Sequence, residues 1–142
     1  MKKIIYIVIF IALILFGTTF YMLTKNDVKA QLIQFDIMED TEKVVKKFNV
    51  KLNTIINLEQ FDGNNIKILE ITDEYVKISR EAIKYEILSR NENGSGEFRK
   101  YTETILENIK YDALIDIDIN EQEPFGPSYV QPRYYYNIKF VK

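Results

Sequence analysis

Hydrophobic positions along this chain change their spacing as the chain proceeds. Residues Ile4 to Leu23 form an apolar run of 20 residues without a charge. At about 1.5 Å of rise per residue, a helix of that length matches the ~30 Å hydrocarbon core of a bilayer. Between Val28 and Leu58 there is neither Gly nor Pro, and Ile33, Ile37, Thr41, Val44, Phe48, Leu52 and Ile55 recur at spacings of three and four. That is the signature of one face of an amphipathic helix. Glu39, Asp40, Glu42, Lys43, Lys46, Lys47 and Lys51 fall largely off the stripe, and nothing from Thr24 to Lys29 forces a break. The two segments together predict a nearly continuous helix from Ile4 to about Asn57, on the order of 80 Å long. Its stripe is expected to pack on the domain's own sheet, with a coiled-coil partner as the alternative.

Phe61-Asp62-Gly63-Asn64-Asn65 is a turn signal, because Asp, Gly and Asn tolerate left-handed backbone. After it the period becomes two. Ile66 to Thr72, Tyr75 to Ser79 and Ala82 to Ser89 read as short antiparallel strands joined at Asp73-Glu74 and Arg80-Glu81. Asn91 to Gly96 reads as a flexible loop. Phe98 to Tyr101 and Thr104 to Ile109 follow, the second of a type the pattern does not fix. Ile115, Ile117 and Ile119 alternate with Asp116, Asp118 and Asn120, as in a half-buried strand. Glu121 to Pro132 holds all three prolines and Gly126 and predicts a long surface loop, and Tyr134, Tyr136, Ile138 and Phe140 alternate through a last strand.

The predicted fold class is α+β: a long N-terminal helix, membrane-spanning and then amphipathic, packed on a small antiparallel β-sheet. Residues 1–23 would be a transmembrane anchor, 24–58 an amphipathic helix continuing into the domain, and 59–142 the sheet region. Lys2 and Lys3 before the apolar run, against Lys25, Asp27 and Lys29 after it, give a weak positive-inside bias. The expected location is therefore the cell membrane, single-pass, with a cytoplasmic N-terminus and the C-terminal domain outside. The alternative is a signal peptide cleaved after Val28-Lys29-Ala30, which would release the rest as a secreted protein.

Charge narrows the partners. The net charge is −2, and from Gln31 onward 15 basic residues face 20 acidic ones, a balance unsuited to nucleic acid. There is no Cys and no His, which removes disulfides, thiolate sites, the usual zinc sites and hydrolase triads. Asp116, Asp118 and Asn120 match the start of a calcium loop, but the Gly required next is Glu121 and the place of the bidentate Glu is Pro127. Asp73-Glu74, Glu121 and Glu123 offer paired carboxylates without a companion nucleophile or phosphate loop. The expectation is a protein without catalytic, cofactor or metal residues. No small-molecule ligand is specified. Tyr129, Tyr134, Tyr135 and Tyr136 form the densest aromatic cluster, which serves either core packing or contact with another protein. Phe125, Tyr129 and Tyr135 are the candidate partner-contact residues.

The order of elements resembles that of type IV pilin-like proteins, in their minor-pseudopilin branch. The passages that carry the likeness are AIKYEILS at Ala82 to Ser89, the arginine-containing Phe98-Arg99-Lys100, the segment Thr104 to Ile109, LIDIDI at Leu114 to Ile119, and YYYNIKFV at Tyr134 to Val141. The resemblance implies a structural or assembly component of a filament or secretion machine, with filament or secretion subunits as partners. Met1-Lys2-Lys3 leads directly into Ile4, with no Gly ahead of the apolar run and no Glu before Asp27. The implied subunit would therefore be unprocessed by prepilin peptidase, and no pilin residue carries over at the N-terminus. The second reading of function is a membrane-tethered module that binds a ligand or partner through the Glu121 to Pro132 loop and the tyrosines.

Overall fold

A computed structural model describes residues 2–25, 27–128 and 130–142, with side chains for all of these except 2–5 and 18–25. The stretch from Val28 to Leu58 departs most from the sequence pattern. In place of an amphipathic helix it forms a hairpin of β1 (Lys29–Asp36) and β2 (Thr41–Asn49), antiparallel, with Lys29 opposite Asn49 and Asp36 opposite Thr41. Two local causes act together. The stretch is dense in β-branched residues, among them Ile33, Ile37, Thr41, Val44, Val45, Thr54, Ile55 and Ile56, whose stiff side chains favour strands. A turn also forms without Gly or Pro: the Asp36 carboxylate accepts the Met38 N–H at 3.0 Å, and Asp40 takes φ of 49°. The buried residues Val28, Ala30 and Leu32 follow a period of two, whereas Ile37, Val44, Leu52 and Ile55 of the supposed stripe are exposed.

The α+β expectation is thereby corrected to a mainly β architecture of two four-stranded antiparallel sheets. The remaining strands are β3 (Ile55–Ile56), β4 (Ile66–Ile71), β5 (Tyr75–Arg90), β6 (Gly96–Lys110), β7 (Ile115–Asp116) and β8 (Tyr134–Val141). One sheet runs β2-β1-β8-β7 and the other β3-β4-β5-β6. A single apolar cluster draws on both: Ala30 and Leu32 of β1 and Ile138 and Phe140 of β8 join Ile66 and Ile68 of β4 and Val76 and Ile78 of β5. Residues 28–58, expected to supply the amphipathic helix of a pilin-like layout, thus form β1, β2 and β3 with their connections.

The apolar N-terminal run forms α1 (Lys2–Lys25). Among the described residues no helix is long and apolar enough to cross a membrane. The expected transmembrane anchor, with its single-pass location and orientation, is corrected on that finding.

Arg80 explains a second misreading. Its charge, followed by Glu81, marks a break between two short strands, yet β5 runs through it for 16 residues and pairs with 15-residue β6. Arg80 is 4% exposed. Its Nε donates to Glu107 Oε2 at 2.8 Å and its Nη1 to the Asp116 carbonyl at 2.6 Å, so the buried charge is paired and hydrogen-bonded. Beyond Ala82 the β5–β6 hairpin leaves the core as an arm whose faces are mostly exposed.

Candidate partner-contact surface

The loop from Glu121 to Arg133 is tied down at both ends. At its start the Glu121 N–H donates to the Ile83 carbonyl at 2.9 Å, and its carboxylate accepts the Tyr85 N–H at 3.0 Å and Lys84 Nζ at 3.1 Å. The Tyr85 N–H, and then Lys84, hold the Glu121 carboxyl below its ordinary value. At its end Arg133 grips Asp36 in the β1–β2 turn, with Nη2 to Oδ2 at 2.8 Å and Nε to Oδ1 at 3.2 Å. The Arg133 guanidinium, with the N–H groups of Met38 and Glu39, holds the Asp36 carboxyl down against the opposing effect of burial. These ties fix where the residues that follow Arg133 begin β8.

Just past that clamp, Tyr134, Tyr135 and Tyr136 line a cleft of about 190 Å³, closed on its other side by Phe61, Asp62 and the segment Asp116–Asp118. The Phe61 and Tyr136 rings pack with centroids 5.4 Å apart, and the Tyr136 hydroxyl accepts Gln34 Nε2 at 2.8 Å. Asp62 is placed by a tight turn: the residues Glu59–Phe61 form a 3-10 turn and Asp62 takes φ of 56°. Asp116 and Asp118 are placed by their own side chains. The Asp116 carboxylate accepts the Asp118 N–H at 3.1 Å, and the Asp118 carboxylate accepts the Asn120 N–H at 3.0 Å. This pattern takes over from β-ladder bonding after Asp116, which is why the alternating Ile115 to Asn120 segment is strand only at Ile115–Asp116.

The cation next to the cleft is Arg133, whose guanidinium carbon stands 5.2 Å from the Tyr134 ring centroid while its charge is paired with Asp36. The other ion pairs of the described residues lie away from the cleft: Arg80 with Glu107, Lys84 with Glu121, Arg99 with Glu86, and Lys142 with Asp73. Among the described residues, Asp62, Asp116 and Asp118 take part in no ion pair. Nor is there, among those residues, a group of three or more His, Cys, Asp or Glu able to hold a metal ion.

The three candidate contact residues fall apart in the structure. Tyr135 lines the cleft. Phe125 instead anchors the loop to the far end of the hairpin: its ring lies 6.4 Å from that of Phe98, Arg90 sits 5.8 Å from its centroid, and it takes φ of 63°. Gly96 is required there, since a Cβ on it would lie 2.2 Å from the Ser89 carbonyl oxygen and 2.6 Å from Phe125 Cζ. Tyr129 lies outside the described residues. Phe61, Asp62, Asp116 and Asp118 escaped sequence reasoning as site residues, although the Asp pair stood out as a failed calcium loop. A larger cleft of about 440 Å³ lies between Glu59, Asn65, Lys67 and Glu81, but its amides already serve the fold: Asn65 bonds Leu58 and Glu59, and Asn64 bonds Glu81 and Asn120.

Comparisons with family models, with curated proteins and with solved structures gave no match to this chain.

Proposed function

We propose that this chain is a partner-binding module that receives a basic side chain of another protein in the tyrosine-lined cleft. The observation that carries this reading is the set of three carboxylates without a cation, Asp62, Asp116 and Asp118, set against Tyr134, Tyr135 and Tyr136. An arginine or lysine suits such a place twice, through charge-assisted hydrogen bonds to the carboxylates and through attraction to the ring faces. Size separates this from a small-molecule site. Clefts for drug-sized ligands measure roughly 300 to 1,000 Å³, and about 190 Å³ holds one side chain. Tyrosine also gives apolar contact area with a polar tip at low entropic cost, which is why it is enriched where proteins meet.

The test is a peptide titration followed by amide chemical shifts. An end-blocked peptide with a central arginine should perturb Asp62, Asp118 and Tyr135, and its citrulline twin, of the same shape without the charge, should bind at least about tenfold more weakly, a difference of ~1.4 kcal/mol. Joint substitution Asp62→Asn and Asp118→Asn should erase that preference. Equal binding of the two peptides, or shifts confined to other surfaces, would sink the reading.

A further inference from the structure

Strand β6 is the last of its sheet. Its 15 residues, Gly96–Lys110, leave a row of backbone groups about 50 Å long facing outward. Such an edge is a template for another strand, and proteins commonly blunt it with charge. At an end of the other sheet, β2 is blunted in that way, with Lys43, Lys46 and Lys47 against the single Glu42. The charges of β6 are instead balanced: Glu97, Glu103 and Glu107 against Arg99, Lys100 and Lys110.

The geometry fixes which groups of β6 are free. On β5 the Ile83 carbonyl and the Tyr85 N–H face Glu121, away from β6. Ladder bonds alternate along a strand, so it is the even-numbered residues of β5 that bond β6. Lys84 lies opposite Tyr101 and Glu86 opposite Arg99. The odd-numbered residues of β6 are therefore bonded inward, and the amides and carbonyls of Phe98, Lys100, Thr102 and Thr104 turn to the open edge.

A second copy that adds its own β6 antiparallel, about a two-fold axis, must pair outward residues with outward residues. That requirement leaves registers centred on a residue, and charge together with overlap separates them: axes on Thr104, Leu106 or Asn108 bring no opposite charges together, and an axis on Phe98 overlaps only about five residues of β6. Centring the axis on Lys100 sets two lysines face to face. Centring it on Glu103 does the same with two glutamates, and centring it on Thr102 opposes Glu97 with Glu107. Like charges directly opposite are destabilising, and opposite charges contribute. Centring it on Tyr101 gives no like-charge pair and two Arg99–Glu103 pairs, with Phe98 opposite Thr104 and Lys100 opposite Thr102. Arg99 already pairs with Glu86 of its own hairpin, so across the new seam each guanidinium would lie between two carboxylates.

We infer that β6 is a self-association edge: two copies of this chain join their β6 strands antiparallel about a two-fold axis through Tyr101, making one eight-stranded sheet. The axis places Tyr101, 46% exposed in the single chain, against its symmetry mate in a non-hydrogen-bonded pair. In such a pair the Cα atoms stand about 4.5 Å apart. The interface is isologous, as a closed dimer requires.

The absence of cysteine in the sequence makes the register directly readable in the full-length protein. With oxidised glutathione, Tyr101→Cys should form a disulfide-linked dimer, since that spacing lies within disulfide reach. Arg99→Cys alone and Glu103→Cys alone should not, while a mixture of those two variants should form the mixed dimer. Amide exchange supplies a second reading without substitution: Lys100, Thr102 and Thr104 should gain protection as protein concentration rises. Cross-linking of Glu103→Cys to itself would overturn the register. Equal cross-linking at every position, or outward amides that exchange at one rate across all concentrations, would overturn the edge dimer, leaving association through α1 or pairing with a foreign strand.

Discussion

Arg80 is the residue on which two parts of the molecule meet, because one guanidinium reaches Glu107 on β6 and the Asp116 carbonyl at the start of the cleft segment. Removing it leaves a carboxylate at 31% exposure without its cation and a carbonyl without its donor. Breaking a fully buried pair from one side costs about 3–5 kcal/mol. Partial exposure of Glu107 lowers that, and Arg80→Ala is expected to destabilise by ~2–3 kcal/mol. Replacing both partners, Arg80→Met with Glu107→Leu, should recover most of the loss, because apolar residues of similar volume need no pairing. Urea unfolding checks both: the midpoint should fall for the single change and return for the double, with an unchanged slope. A single variant as stable as the parent would show that Arg80 only fills space.

Among the elements, the turn after β3 sets the near wall of the cleft, and Gly63 is its tightest point. A Cβ there would stand 2.5 Å from Ile117 Cδ1 and 2.9 Å from its Cγ1, and Ile117 is itself buried. Gly63→Ala should therefore cost ~1–3 kcal/mol by overpacking, and Ile117→Val in the same chain should relieve part of it. A double-mutant cycle on thermal unfolding measures that coupling, and strict additivity would refute the contact. This turn was legible in the sequence because Asp62, Gly63 and Asn64 state their backbone preferences locally. So was β8, whose alternation of Tyr136, Ile138 and Phe140 matches burial on one face. The β1–β2 hairpin was not legible. Its turn is made by the Asp36 carboxylate rather than by Gly or Pro, and its apolar residues also fit a helical spacing, a tie that only the facing strand β8 resolves. The cleft was half legible: Tyr135 shows itself by composition, whereas Asp62 and Asp118 join it only through folding across about half the chain.

For the whole molecule, the decisive pairing is β1 with β8, from Lys29 opposite Val141 to Asp36 opposite Tyr134. It brings the beginning and end of the β region together, and with β2 and β7 it completes the sheet that covers β4 and β5. The core cluster contains Val28, Ala30 and Phe140 but no described side chain of α1, and Tyr6, Phe10, Leu13 and Phe16 stand 64–73% exposed. Burial of apolar area is the main favourable term in folding, so a helix that contributes none of it to the core contributes little to the stability of the sheets. A chain that starts at Asp27 is therefore expected to unfold in one cooperative transition at the midpoint of the full-length protein, within a few degrees, with its near-ultraviolet tyrosine signal intact. It should also aggregate less, because the large exposed apolar surface of α1 has gone. Its refolding should be slow for its size, in milliseconds to seconds, since the β1–β8 closure joins residues far apart in sequence. The measurement is thermal and urea unfolding of the two chains side by side. A truncated chain without a cooperative transition would mean that α1 packs on the sheets after all, and would move the boundary of the folding unit to the start of the helix.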